Sequence, residues 1–141
     1  MTIIAFTQNH TGNKATIVFK PAPPNYGVKF YRSDFPEKPA IKAVIENVTD
    51  VARGTTIGSN GVKIHTVEHV LAALMGFGID NLNIELNANE PPVGDGSSTA
   101  FVKMIQDAGV VEQDAPKRFY RPTEPIYFSD NGITLVVIPA E

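Results

Sequence analysis

The stretch that decides the fold is residues 64–74, which run Ile64-His65-Thr66-Val67-Glu68-His69-Val70-Leu71-Ala72-Ala73-Leu74. From Val67 to Leu74 the apolar side chains recur at i, i+3, i+4 and i+7, a spacing that predicts a helix with one face toward a core. On a wheel of that helix, His65 and His69 lie opposite the apolar stripe, together with Ala72 and Ala73. We therefore expect the apolar face of this helix to form part of the domain's hydrophobic core.

The same stretch carries chemistry, because His65, Glu68 and His69 form the H-x-x-E-H arrangement of some zinc hydrolases. Thr66 is the predicted N-cap, which places Glu68 and His69 in the first turn. There the helix dipole favours a carboxylate and disfavours imidazolium, so a histidine stays neutral and can bind a metal. A catalytic zinc usually has three protein ligands, and the spacing does not select the third from His10 and the many carboxylates. The structural alternative is a first-turn glutamate beside solvated histidines.

The rest of the sequence predicts an α+β fold with a single mostly antiparallel sheet and two helices packed on one face. Residues 82–86 alternate apolar and polar as a half-buried strand does. A second helix follows Ser97 or Ser98 and ends at Gly109, and Asn131-Gly132 marks a hairpin turn. The first helix also has apolar residues outside its stripe. It is apolar nearly all round, so we expect another domain or chain to cover it.

Composition narrows the classes of function. The chain has 141 residues, 43% of them hydrophobic and 19% charged, with a net charge of −3 and no cysteine. These values indicate one globular domain, argue against nucleic-acid binding and exclude a disulfide framework. No signal peptide or transmembrane segment is visible in the sequence, so we expect a cytoplasmic protein.

Several longer segments of the chain, beyond the five-residue motif, resemble segments of one known protein family. They are the run from Ile64 to Leu74 followed by Gly78-Ile79-Asp80-Asn81, then Asp95-Gly96-Ser97-Ser98 with Phe101, Lys20-Pro21-Ala22-Pro23 before Gly27-Val28-Lys29-Phe30, His10-Thr11-Gly12, and Glu124-Pro125-Ile126. These segments follow one another along the chain from His10 to about Pro139, and with them the chain resembles the UDP-3-O-acyl-N-acetylglucosamine deacetylases, the zinc enzymes of the committed step in bacterial lipid A synthesis.

The resemblance implies that residues 1–141 are the N-terminal domain of a two-domain enzyme whose helix layers pack against each other. The second domain is absent from this chain, and it would cover the apolar helix and complete the zinc site. Glu68 matches the family's general base and His69 its zinc ligand, with one Zn²⁺ per complete enzyme and weak or absent binding by this chain alone. His65 is not a ligand in the family, and it is expected to be solvated or to lie just behind the ligands.

The implied substrate is a UDP-linked, 3-O-acylated amino sugar from which the N-acetyl group is hydrolysed. His10, Ala52 and Arg53 are the residues that the resemblance places near it. The isolated chain is expected to be inactive.

Two other classes of function stay open. One is a self-contained H-x-x-E-H metallohydrolase, in which His65 and His69 both bind the metal. The other is a non-enzymatic module that uses its apolar helix face to bind a partner.

Overall fold

The computed structural model describes residues 4–10 and 13–140 and confirms the α+β class. The elements in chain order are β1 Ile4–His10, β2 Asn13–Pro21, β3 Val28–Arg32, β4 Ala40–Lys42, a 3-10 turn Ile45–Asn47, β5 Val48–Asp50, β6 Thr56–Ser59, β7 Val62–Ile64, α1 Glu68–Gly76, β8 Leu82–Leu86, α2 Thr99–Ala108, β9 Ile126–Asp130 and β10 Ile133–Val137.

The main sheet has five strands in the order β1-β2-β8-β3-β4. Strand β8 pairs antiparallel with β2 and parallel with β3, so a strand that comes late in the sequence joins two hairpins that come early. Its residues alternate as predicted, with Leu82, Ile84 and Leu86 buried and the two between them half-buried. The alternation arises because successive side chains of a strand point to opposite faces.

The prediction of a single sheet is wrong, because the described strands form three sheets. The 3-10 turn interrupts the chain between β4 and β5, and β5, β6 and β7 then form a separate antiparallel sheet. Strands β9 and β10 form a third, two-stranded sheet. Local alternation identifies a strand but carries no information about which distant strand will pair with it.

The core lies between the inner face of the main sheet and the two helices. Helix α2 contributes Phe101, Met104 and Ile105, as its stripe predicts. Phe6 of β1 meets the Phe101 ring edge-on with centroids 6.4 Å apart, a favourable aromatic geometry. From the sheets the buried members of the same cluster are Ile17, Phe19, Phe30, Ile41, Ile57, Ile64, Leu82, Ile84 and Leu86.

Helix α1 follows its predicted stripe with one correction. Val70 and Leu74 are buried as expected, but Ala73, predicted on the histidine side, is buried too. The buried side of the helix is therefore centred between Val70, Ala73 and Leu74, about one residue's rotation away from the predicted stripe. Met75 is 84% exposed and Ala72 is also exposed, which leaves an apolar strip uncovered. A second domain over this strip stays a prediction.

After α2 the chain returns to the start of β8 and is held there. The Asn81 side-chain amide donates to Gln113 Oε1 at 2.8 Å, and the Gln113 amide donates to the carbonyl of Ala22 at 2.8 Å. Lys117 lies 3.1 Å from the Asp80 carboxylate. The polypeptide is thus tied to the domain as far as Lys117.

The hairpin β9–β10 lies outside the core. Asn131 and Gly132 have positive φ values of 48° and 79° and form the predicted tight turn. All ten strand residues are exposed, and within residues 4–10 and 13–140 neither strand pairs with another sheet. Seven of them are large and apolar: Ile126, Tyr127, Phe128, Ile133, Leu135, Val136 and Val137.

Within the same described ranges, neither helix is long and apolar enough to cross a membrane.

Candidate functional site

The corner between β7 and α1 differs from the sequence prediction. Thr66 is not the N-cap: it has a left-handed φ of 54°, and Val67 takes the cap position without a side-chain cap bond. The left-handed region is rarely adopted by a β-branched residue. This turn ends the strand and starts the helix within three residues, and it leaves Glu68 and His69 in the first turn as predicted.

His65 lies before this corner and not on the helix. Its backbone N–H donates to the carbonyl of Asn89 at 2.8 Å, and its Nδ1 lies 3.0 Å from the Thr56 hydroxyl. The H-x-x-E-H pattern requires both histidines on one continuous helical face. Since the helix begins at Glu68, His65 does not lie on the helical face that carries His69, and metal binding by both histidines stays an open alternative.

Glu68 is held by the loop that precedes β6. Its Oε2 accepts the backbone N–H of Thr55 at 2.8 Å. Its Oε1 lies over Gly54, only 2.9 Å from where a Cβ on that glycine would be. A larger residue at position 54 would displace the carboxylate. Glu68 is half-buried, so part of the residue stays accessible to solvent.

His69 follows in the same first turn and is also half-buried. Imidazole nitrogen is a normal zinc ligand, and a carboxylate beside it suits metal-assisted hydrolysis. Among residues 4–10 and 13–140, no group of three or more His, Asp or Glu side chains is placed to hold a metal ion. His69 is therefore the candidate zinc ligand of this turn, and the rest of a ligand set stays a prediction.

The structure describes two of the three predicted substrate residues, Ala52 and Arg53, with their side chains. Ala52 and Arg53 are exposed in the loop between β5 and β6, and the Ala52 N–H donates to Asp50 Oδ1 at 3.0 Å. This loop leads directly to Gly54 and Thr55, so it reaches the Glu68 carboxylate. His10 ends β1, but its side chain, with Thr11 and Gly12, lies outside the described part of the structure.

Asp95 and Ser97 form a helix-start turn, as the sequence favours. The Asp95 carboxylate accepts the Ser97 N–H at 3.0 Å and its hydroxyl at 2.6 Å, which lowers the pKa of Asp95 below its usual value. Ser97 Oγ in turn accepts the N–H of Thr99, the first residue of α2. These bonds serve the turn itself.

Sequence reasoning missed Thr55 and Thr56 as neighbours of the site. Thr55 acts through its backbone N–H, which every residue other than proline has, so its side-chain identity gives no signal. Thr56 is buried and contacts His65, a pairing that depends on how β6 and β7 are joined.

Several curated proteins are similar to this chain over most of its length. The bifunctional enzyme LpxC/FabZ of Chlorobaculum tepidum is 50% identical over 134 residues, which are 94% of this chain and 29% of that protein. The UDP-3-O-acyl-N-acetylglucosamine deacetylases of Bdellovibrio bacteriovorus and Myxococcus xanthus are 42% and 48% identical. These two matches cover 92% and 77% of this chain, and 43% and 34% of the relatives.

The chain thus spans less than half the length of these curated relatives. A family model described as LpxC, UDP-3-O-acyl N-acetylglycosamine deacetylase, matches residues 7–141. That match includes the β5–β6 loop, the Thr66 corner and the first turn of α1. The chain therefore belongs to the UDP-3-O-acyl N-acetylglycosamine deacetylase family.

Proposed function

We propose that this chain is the N-terminal part of a zinc-dependent deacetylase that removes the N-acetyl group from UDP-3-O-acyl-N-acetylglucosamine in lipid A biosynthesis, a reaction of the cytoplasm. One observation carries the proposal. Glu68 and His69 lie together in the first turn of α1, and Glu68 is held by the Thr55 N–H with its Oε1 over Gly54. The family's named members act on this acylated sugar, which supports the same substrate for the complete protein.

Glu68 is the general base in this proposal. A carboxylate oxygen that is not tied to the backbone can accept a proton from water as the water attacks the acetamide carbonyl. The products are acetate and a free amine, and the amine nitrogen must gain a proton as the C–N bond breaks. The residue that donates this proton is proposed to lie outside this chain.

His69 is the one ligand that this chain would supply to the zinc ion. With zinc bound at His69, the site would gain a Lewis acid that can polarise a carbonyl oxygen and lower the pKa of water toward ~7. Completion of the ligand set by a second domain over α1 agrees with the exposed apolar strip at Ala72 and Met75. We therefore propose that the 141-residue chain alone binds zinc weakly and does not turn over substrate.

Ala52 and Arg53 are proposed to contact substrate, because their loop continues into the residues that touch Glu68. The same role is proposed for His10 from the family resemblance.

The test uses a chimeric enzyme, called the joined enzyme below, in which residues 1–141 replace the matching segment of the Bdellovibrio relative. We expect it to release acetate, and Glu68→Gln to reduce kcat by about 10²-fold or more while zinc stays bound. His69→Ala should lose both zinc and activity, whereas His65→Ala should keep its zinc.

A folded joined enzyme without turnover, or one in which Glu68→Gln stays fully active, would contradict the proposal. Loss of zinc in His65→Ala would instead favour the metallohydrolase alternative. Acetate release by the 141-residue chain alone would contradict its proposed dependence on a second domain.

A further inference from the structure

Three hydrogen bonds tie the start of β6 to the corner before α1. The Thr55 N–H donates to Glu68 Oε2 at 2.8 Å, the Val67 N–H donates to the Thr55 carbonyl at 3.2 Å, and Thr56 Oγ lies 3.0 Å from His65 Nδ1. The peptide unit at Thr55 is therefore fixed through its carbonyl as well as through its N–H. A donor anchored in this way can orient a side chain, because it cannot follow that side chain when it moves.

The two oxygens of Glu68 are not equivalent. Oε2 is occupied by the Thr55 N–H, whereas Oε1 lies 2.9 Å from the position that a Cβ on Gly54 would take. No positive φ forces a glycine at position 54, so the close approach of Oε1 is the feature of the structure that disfavours a side chain there. Thr55 supplies a donor for one oxygen, and Gly54 leaves room for the other.

We infer that the Thr55 backbone N–H and the absent side chain of Gly54 together position the Glu68 carboxylate, so that Oε1 is the oxygen that takes the proton from water. This inference rests on the proposed function, since it deepens the role given to Glu68. Thr55 and Gly54 act through Glu68 and are positioning residues. The balance of the step is unchanged: Oε1 gains the proton and the water oxygen forms the bond to the acetyl carbon.

The first test uses the 141-residue chain in solution and needs no activity. We expect a scalar coupling across the hydrogen bond between the Thr55 nitrogen and the Glu68 carboxyl carbon in an isotope-labelled sample. Hydrogen exchange at Thr55 should become about tenfold faster or more in Glu68→Ala. His69→Ala, which changes the next residue of the same turn, should leave the Thr55 exchange rate unaltered.

The second test separates positioning from folding. Gly54→Ala should leave the unfolding transition unchanged, because the atom it meets is the end of a flexible side chain. In the joined enzyme it should lower kcat about tenfold with little change in KM, since misplacing a reacting group affects the chemical step. Gly76→Ala in the isolated chain is a comparison variant: its Cβ meets no atom outside the helix within 4 Å, and it should raise the stability slightly because alanine favours the helix.

The outcomes distinguish this inference from the function it rests on. No coupling and unchanged Thr55 exchange in Glu68→Ala, or full kcat in Gly54→Ala, would overturn the inference even if Glu68→Gln abolishes turnover. If Glu68→Gln is fully active, the proposed function fails, although the contact between Thr55 and Glu68 could still be observed.

Discussion

At the scale of single residues, Thr66 shows what the corner before α1 requires. A β-branched residue with a φ of 54° is strained, because its Cβ crowds the backbone in the left-handed region. The chain adopts this conformation where it turns from β7 into the helix and brings the Glu68 carboxylate within hydrogen-bond distance of the Thr55 N–H. Strained residues of this kind are concentrated at functional sites, where surrounding contacts hold them in place.

Replacing Thr66 with asparagine should stabilise the isolated chain. Asparagine tolerates the left-handed conformation better than threonine, so Thr66→Asn is expected to raise the free energy of unfolding by about 1 kcal/mol. Urea denaturation followed by circular dichroism measures the change. Thr66→Ala keeps a Cβ in the same conformation and should give no comparable gain. A Thr66→Asn chain that unfolds at lower urea concentration would show that the threonine side chain stabilises the corner.

The site could be predicted in part at this scale. The positions of Glu68 and His69 in a first turn follow from the apolar spacing after Val67. The conformation of Thr66 does not, because a β-branched residue rarely adopts the left-handed region and its identity therefore gives no signal for it. The donor at Thr55 is a backbone group and leaves no trace in the identity of the residue.

At the scale of elements, Arg32 connects the main sheet to the β5–β6–β7 sheet. This arginine ends β3 and is only 8% exposed. Its guanidinium donates to the carbonyl of Lys63 in β7 at 2.9 Å and binds the Asp34 carboxylate through two nitrogens, at 2.8 and 2.6 Å. A planar fork of donors can satisfy both acceptors at once, which a lysine could not do.

Removing the charge of Asp34 should weaken this junction in a pH-dependent way. The hydrogen bond from Arg32 lowers the pKa of Asp34 below its usual value of 3.8. A lowered folded-state pKa gives stability that is present above the unfolded pKa and is lost as the pH falls through the folded one. We expect Asp34→Asn to lower the free energy of unfolding by about 1 kcal/mol at pH 7, and the difference to shrink below about pH 4.

Denaturation curves at several pH values measure this effect. Glu37→Gln, which removes an exposed carboxylate from the same loop, is the control for the loss of one negative charge. An Asp34→Asn difference that stays constant from pH 7 to pH 3 would contradict the assignment.

The elements themselves were predicted better than their arrangement. The alternation in β8, the stripe of α2 and the Asn131-Gly132 turn depend on neighbouring residues, and all three are confirmed. The division into three sheets was not predicted. It depends on a 3-10 turn after β4 and on a parallel pairing of β3 with β8 across about fifty residues, and neither has a local signature.

At the scale of the whole molecule, the core and the C-terminal hairpin are separate parts. The chain is held to the domain as far as Lys117, and strands β9 and β10 then expose apolar side chains on both faces. An isolated two-stranded hairpin gains little stability by itself. An exposed apolar patch of this kind promotes association with other surfaces.

Truncation after Arg118 should therefore leave the domain intact. We expect the free energy of unfolding of the shortened chain to lie within about 0.5 kcal/mol of that of the 141-residue chain. The reason is that the removed residues contribute no side chain to the core. Light scattering should show less self-association at equal concentration. A loss of stability well beyond that margin would mean that the hairpin packs on the core in solution.

The central place of β8 also bears on how the protein is made. A ribosome that has released only the first eighty residues has delivered β1–β2 and β3–β4 as two hairpins without the strand that joins them. Each then presents an unpaired edge, the kind of surface that attracts wrong partners and molecular chaperones. The nascent domain can complete its main sheet only when Leu86 has left the exit tunnel. Slow translation up to that point would therefore prolong the time during which the two hairpins can aggregate.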